Sequence, residues 1–504
     1  MGHAPVGAEV AYPAPTTDVQ VIKPDPPANA NAWKDVPFAI LFIAHLIAII
    51  FVMAWLGVPL LKDLSDASAI DSEVSNIQAT IIAFIGCMAI VASLVACALI
   101  NFVIAFARRA ISFVLWANFT LFIVLAVVAV VTDVAFLTAI FILFALLSLC
   151  YIRMVRSRIP FAAANLYVAA AAVKDHWSIF PLAFLMVAFQ VIWIFIWCVA
   201  FIGVVVLAAS SVPNPAGYPS GFSCSYNSDC QSNECALLNP SMAYKACQGS
   251  RSGNGQIVAY VLMLLSLYWG VTVIKNVLHT TVAGVVATWW TAGDARGVIR
   301  GSFRRAMTTS FGSICLGSLI VSLLRVLEAL ANGSKQKGGV AACIAGCILG
   351  LLRSIIEYFN RWAFIYVAMY GFRFTQAGKC AFGLFKQRGL SAVVNDDLIG
   401  QTLAFVSLVS GLICCMLGLA YTFMDQENAG FAEAKYLFSI IGFVFGLGVT
   451  IIPFSVIDSA VATAFVCFAE DPVSFGRTHP ALHHEMVAAW RLAHPDIMLV
   501  FYPA

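Results

Sequence analysis

Charge is scarce in this chain. Asp, Glu, Lys and Arg together make up 11% of it, against roughly 25% in an ordinary globular domain. So few ionic groups cannot clothe a water-facing surface, and with 62% hydrophobic residues the sequence describes an integral membrane protein set in a lipid bilayer. The net charge of +3 is too small and too scattered to imply nucleic acid, so no nucleic-acid partner is expected. Motifs of covalent chemistry are missing too: there is no GxSxG elbow, phosphate-cradling glycine loop or nucleotide fingerprint. His484-Glu485 opens an HExxH pattern, but Ala488 stands where the second histidine is needed, so a zinc protease is excluded on geometry. The expectation is a chain that is not an enzyme and uses no cofactor or metal. Residues 1–35 lack an early apolar core and are rich in Pro, Ala and Asn, so they read as a disordered cytosolic tail rather than a cleaved signal peptide. No internal repeat is evident, which leaves an inverted-repeat architecture neither supported nor excluded.

What is present is a series of long apolar runs. Ten of them reach the roughly 20 residues that a span requires, near 36–61, 77–106, 111–131, 135–152, 179–209, 256–290, 309–331, 341–370, 399–424 and 436–468. Basic residues gather in alternate connections: Lys23 and Lys34; Arg108 and Arg109; Arg153, Arg156, Arg158 and Lys174; Arg296, Arg300, Arg304 and Arg305; Arg373, Lys379, Lys386 and Arg388. The other connections are poorer in base and often acidic, so both termini are expected in the cytosol. The fold class is therefore all-α, a polytopic membrane protein with about ten transmembrane helices across 36–468 and a second cytosolic tail over 469–504. Ile159–Trp177, and by analogy Ala377–Val394, read as helices lying along the interface. The tail after span ten reads as a solvated helix.

Most cysteines sit in or beside apolar runs, where a thiol is a small hydrophobe. Cys224, Cys230, Cys235 and Cys247 instead share the polar loop 210–255 on the outer face, where two disulfides are expected with three connectivities open. Zinc is the weaker reading because the paired CxxC of a structural site is absent. Asn332-Gly333-Ser334 is a glycosylation sequon that also falls outside.

The functional signal is charge where lipid should be. Arg353, Glu357 and Arg361 stand at i, i+4 and i+8 in the eighth span and so share one helix face. Each costs about 2.5–3.5 kcal/mol at a bilayer centre, a cost that calls for a partner or a task. Glu357 could balance an organic cation or pair with Arg353 or Arg361 on its own helix. Asp458 follows Pro453 by five residues in span ten, where a proline bend and a desolvated acid suit a cation or proton station; a hydrogen bond to Ser or Asn is the alternative. Lys275 is expected to pair across helices with Glu357, Glu328 or Asp458 as a gating element, beside Asn276. His45 and His279 read as satisfied hydrogen-bonders. The aromatic candidates for a cation cage are Trp269, Trp289 and Trp290 in span six and Tyr358, Trp362, Tyr366 and Tyr370 in span eight; interface anchoring is the competing role. Gly346/Gly350 and Gly442/Gly446 form GxxxG pairs that serve packing within the chain or a homo-oligomer contact.

Several stretches resemble the choline transporter-like solute carrier family: VIKNVLHTTVAGVVATWW at 273–290, SFGSICLGSLI at 310–320, EYFNRWAFIYVAMYGFRF at 357–374, LFKQRGLSAVVNDDLIG at 384–400 and VCFAEDP at 466–472. The short connection at 62–76 is similar to that of fungal-type members, which lack the long first extracellular loop. The resemblance implies ten spans, cytosolic termini, and plasma-membrane transport of choline or a related amine such as ethanolamine. The expected function is thus a carrier working by alternating access, with proton exchange as a suitable coupling. An ion or solute channel, a lipid head-group enzyme and a nontransporting scaffold are the rivals. The substrate-binding candidates are Trp269, Asn276, Glu357, Tyr358, Tyr366, Tyr370 and Asp458, with Lys275, Arg353 and Arg361 as gating or ion-pair residues.

Overall fold

The computed structural model describes residues 32–59, 72–209, 253–293, 296–333, 335–424 and 434–493, with residues 224, 226, 229, 235–237 and 245–247 of the long loop. The expected disordered tail lies outside these residues up to 31, as do most of the connection after span one and most of the 210–255 loop. The chain runs through α1 (Val36–Val52, continued by a π turn over Met53–Gly57), α2 (Ser72–Ala105), α3 (Ala107–Val131), α4 (Ala135–Val155), α5 (Ile159–Asp175) and α6 (Ile179–Ala209). A two-stranded ladder follows, β1 (Cys235–Leu237) with β2 (Lys245–Cys247). Then come α7 (Gly253–Ala292), α8 (Val298–Met307), α9 (Phe311–Gly333), α10 (Lys335–Tyr370), α11 (Phe374–Met424), α12 (Ala434–Glu470), α13 (Pro472–Thr478) and α14 (Pro480–Ala493).

Nine helical stretches of the described residues are long and apolar enough to cross a membrane. The tenth expected span is α10, helical over 36 residues but kept out of that class by its own Arg353, Glu357 and Arg361. Its apolar residues Ile344, Ile348, Leu351, Leu352 and Ile355 are exposed on the bundle's outside, so the charges point inward. With α10 included the count is even, and both termini fall on one side, called here the terminal side.

Two expected interfacial helices are built differently. The alanine-rich α5 has small side chains on several faces, which let it sink into the protein: Ala162, Leu166, Ala169 and Ala172 are fully buried, and Asn165 donates to the Val461 carbonyl at 3.2 Å. Ala377–Val394 is the first third of α11, which no proline interrupts over its 51 residues. Between α10 and α11 the chain turns on Gly371, whose φ of +68° is the left-handed conformation that ends a helix at least cost to glycine. Gly442 and Gly446 bring α12 flush against Cys414 and Ser410 of α11, so this pair serves packing within one chain; Gly350 instead makes room for the Glu328 carboxylate.

The terminal side is stitched by polar contacts at helix ends. Just before α1, Asp35 accepts hydrogen bonds from Ser313 Oγ at 2.6 Å and Phe374 N at 2.9 Å, so one carboxylate serves the first turns of both α9 and α11. The Asp35 and Lys34 carbonyls lie so close to Gly312 that a side chain there would displace them. Trp289 and Trp290 are fully buried rather than interfacial. Their indoles donate to the Asp175 carboxylate and the Asp471 carbonyl, both at 2.9 Å, and Trp290 stacks on Phe475 at 3.9 Å.

The segment after span ten is not a free helix. His483, Met486, Val487 and Trp490 repeat at helical spacing and are buried, with Trp490 against Phe468 (4.4 Å) and Phe161 (4.8 Å); His484, Glu485 and Arg491 face out. The outer loop holds one disulfide, Cys224–Cys235. Cys230 and the Cys247 side chain lie outside the described residues, so the second expected bridge does too.

Two outcomes follow. Asp35→Ala should lower stability by about 1–2 kcal/mol, read as a drop in Tm in detergent, because two helix-end donors lose one acceptor; an unchanged Tm would show the latch to be idle. Burial, reinforced by neighbouring His484, holds the His483 pKa below its ordinary 6.5. The docked α14 therefore prefers neutral His483: its docking should hold above pH 6.5 and weaken as acid protonates the undocked form. Amide exchange over 480–493, corrected for intrinsic rates, should quicken between pH 7.5 and 5.5.

Candidate translocation site

Midway along α7 the helices part around a cavity of about 340 Å³. Four helices line it: α7 with Thr272, Lys275, Asn276 and His279; α9 with Val321; α10 with Arg353, Glu357, Tyr358, Asn360 and Arg361; and α12 with Ser455, Asp458 and Ser459. The i, i+4 spacing of Arg353, Glu357 and Arg361 delivers all three to one wall.

The carboxylates are held by arginine. Glu357 meets Arg325 at 2.8 Å, Arg353 at 3.2 Å and Lys275 at 3.7 Å. Arg353 also holds Glu328 at 2.5 Å, and Arg361 bridges to the Asp458 carboxylate at 2.9 Å and the Asp458 carbonyl at 2.8 Å. Four cations, Lys275, Arg325, Arg353 and Arg361, thus face three carboxylates, Glu328, Glu357 and Asp458, a surplus of one positive charge (4 − 3 = +1). Lys275 is the loosest member. Its side chain is 66% exposed, whereas the arginines are at most 27% exposed.

Of the partners left open in the sequence, Glu357 takes Arg353 rather than Arg361, Lys275 takes Glu357 rather than Glu328 or Asp458, and Asp458 takes Arg361, a partner that was not anticipated. In the fold Arg361 points one turn further along α10, where Asp458 of α12 meets it. Glu328 was named only as a partner for Lys275 and Arg325 was passed over, although VSLLRVLEAL carries the same kind of signal as the eighth span: opposite charges about one turn apart in an apolar run.

The aromatic candidates separate. Tyr358 lines the cavity, with Phe364 below it. Trp269 does not line it: buried, it donates to the Cys315 carbonyl at 3.0 Å and packs on Phe42 and His45, tying α1 to α7 and α9. Trp362 is fully buried against Phe385 and Phe465. Tyr366 is buried, and Tyr370 donates to Glu470 at 2.6 Å. Asn276 reaches the cavity while donating to Ser318 at 2.9 Å.

Two smaller cavities continue the same line towards the terminal side. One, of about 120 Å³, touches Thr280, Gly284, Val367, Ala368 and Tyr370; the next, of about 190 Å³, touches Gly284, Thr288, Thr291, Tyr370, Cys467 and Asp471. Between them and the main cavity stands a polar node. His279 contacts Ser459 Oγ at 2.8 Å with Nδ1 and the Arg361 carbonyl at 2.9 Å with Nε2, joining α7, α12 and α10. His279 is thus the satisfied hydrogen-bonder expected. Below the node the helices are packed tight, with 362–367 of α10 and 460–467 of α12 buried throughout; above it, over 344–359 of α10 and 436–452 of α12, buried residues are interspersed with half-buried and exposed ones. The packed helices therefore close the cavity on the terminal side.

A charge-lined hollow at mid-depth in a helical bundle, closed by packed helices towards the terminal side, belongs to the membrane transporters. The sequence profile of the family described as plasma-membrane choline transporter matches residues 139–473, and the chain belongs to that family. A CTL-like protein of Dictyostelium discoideum is 31% identical over 368 residues, 71% of this chain and 57% of its own length. The PNS1 protein of Gibberella zeae is 33% identical over 265 residues, 50% of this chain and 48% of its own. That of Eremothecium gossypii is 27% identical over 502 residues, 94% and 84%. The chain spans about half the length of the first two relatives.

The Arg361–Asp458 pair should behave as a unit. Asp458→Asn alone strands a cation inside the bundle, and adding Arg361→Gln should recover part of the loss, with a coupling of about 0.5–3 kcal/mol in a double-mutant cycle of detergent unfolding. Additive effects would mean that the two groups do not depend on each other.

Proposed function

We propose that this chain carries choline or a related small amine such as ethanolamine through the cavity between α7, α9, α10 and α12, by alternating access. The observation that carries the reading is the Lys275–Glu357 contact. Arg325 and Arg353 hold the Glu357 carboxylate in place, while the looser lysine ammonium occupies the position an organic cation would take. A substrate ammonium entering beside Tyr358 would replace Lys275 at Glu357, with the tyrosine ring offering its negative face. The surplus positive charge then fits an exchange: the site favours its own lysine until a substrate cation displaces it. The packed terminal half supports a carrier over an open channel, because passage requires the His279–Ser459–Arg361 node to part. Proton exchange would run through Asp458, which must leave Arg361 before it takes a proton. Trp269, Tyr366 and Tyr370 enter this reading as supports of the cavity walls and the path beyond them, not as its lining. We assign the protein to the plasma membrane, with Asn332, exposed at the end of α9, as its glycosylation site.

Uptake of labelled choline into proteoliposomes tests this. Glu357→Gln should reduce uptake roughly tenfold or more, the scale of one lost ion contact at about 1.4 kcal/mol. Lys275→Met should lower KM severalfold, since the resident competitor is gone. A folded Glu357→Gln protein that transports normally would remove the carboxylate from the site. Parallel assays with ethanolamine set the substrate, and failure of the wild type with both amines would overturn the substrate class.

A further inference from the structure

The short helix α8 contributes nothing to the main cavity, and its three faces have different chemistry. Val298, Ser302 and Ala306, spaced by four, are buried on α7. Ile299, Phe303 and Met307 form an adjoining apolar stripe; the first two are partly buried against the core and Met307 is 42% exposed. The remaining face is basic. Arg300 and Arg304 lie one turn apart and exposed, and Arg296, also exposed, precedes them by another turn of sequence. None of the three has a carboxylate partner among the described residues. Arg305 turns aside, donating to Ser302 Oγ at 3.1 Å and lining the smaller cavities.

Connectivity fixes the depth of this helix. The span formed by α7 ends at Ala292 and the span formed by α9 starts at Phe311, so α8 lies at the membrane surface on the terminal side. There an apolar stripe beside a basic one is the pattern of a helix resting in the interface plane, acyl chains under one stripe and headgroups against the other. Guanidinium groups bind phosphate oxygens through paired hydrogen bonds as well as by charge. A soluble acidic partner would have no use for the neighbouring Ile299, Phe303 and Met307.

We propose that Arg296, Arg300 and Arg304 form a binding site for the headgroups of anionic phospholipids in the terminal-side leaflet. Because α8 packs on the terminal third of α7, the helix that carries Lys275 and His279, a lipid held there steadies the closed half of the bundle. The site does not depend on the identity of the transported substrate.

Native mass spectrometry of the full-length protein in neutral detergent, titrated with phosphatidylserine or phosphatidylcholine, tests the site. Each arginine near an anionic surface strengthens attraction roughly fivefold, so wild type should favour phosphatidylserine by at least an order of magnitude, less at high salt. The combined variant Arg296→Gln/Arg300→Gln/Arg304→Gln should bind both lipids alike, and the matching lysine variant should keep most of the preference. Should the triple glutamine variant elute aggregated, Arg300→Gln alone should weaken phosphatidylserine binding about fivefold. Equal binding of both lipids by wild type, or a preference that survives loss of the arginines, overturns the proposal. So does competition by soluble glycerophosphoserine at the lipid's own concentration, which would mark a free phosphate-ester site instead.

Discussion

Ionic groups inside a lipid-embedded bundle are tolerable only when they hold one another, and that constraint governs this structure. Seven charged side chains sit inside the bundle on α7, α9, α10 and α12, and each contact among them crosses between helices or spans one helical turn. The apolar faces of these helices see lipid or each other and have no preferred rotation beyond packing. The charges supply one, since a helix turned by a quarter would present Arg353 or Asp458 to hydrocarbon. The cluster thus sets helix orientation first, and the cavity is the space it leaves.

Attraction within the cluster is uneven. The arginines are half-enclosed and make short contacts, whereas Lys275 reaches Glu357 at 3.7 Å from a largely exposed side chain. Fixed guanidinium groups hold the carboxylates in position, and the loosely held ammonium can leave without unfolding anything. The terminal side complements this asymmetry. Trp289, Trp290, Phe475 and Trp490 pack the helix ends, Asp35 latches the start of α1 to α9 and α11, and α14 covers α5. One half of the bundle is therefore held by aromatic packing and hydrogen bonds to backbone groups, the other by side-chain ion pairs that can rearrange.

The helical segments were legible in the residues because lipid imposes a length and a composition that water-soluble folds do not. Lys275 with Glu357, and Arg353 with Glu357, were legible as well, since an apolar run that carries opposite charges at one-turn spacing declares an inward face. The aromatic site residues were not. Trp269, Trp289 and Tyr366 have composition and depth that suit a cation cage, but each indole or phenol found a local partner, and nothing in linear order records which rotamer reaches the hollow. The burial of α5 and α14 was half visible: the stripe His483, Met486, Val487 and Trp490 repeats at helical spacing, but an amphipathic helix beside a membrane can rest on lipid as readily as on protein.

What the chain's residues determined alone is a set of apolar helices of membrane length, the even count that returns both termini to one side, and an inward-facing charge on the eighth span. Tertiary structure decided the partners. Arg325 and Glu328 joined the cluster, Arg361 went to Asp458 rather than to Glu357, and Lys275 was left as the loosest cation, because ion pairing depends on distances between helices that only their mutual packing sets.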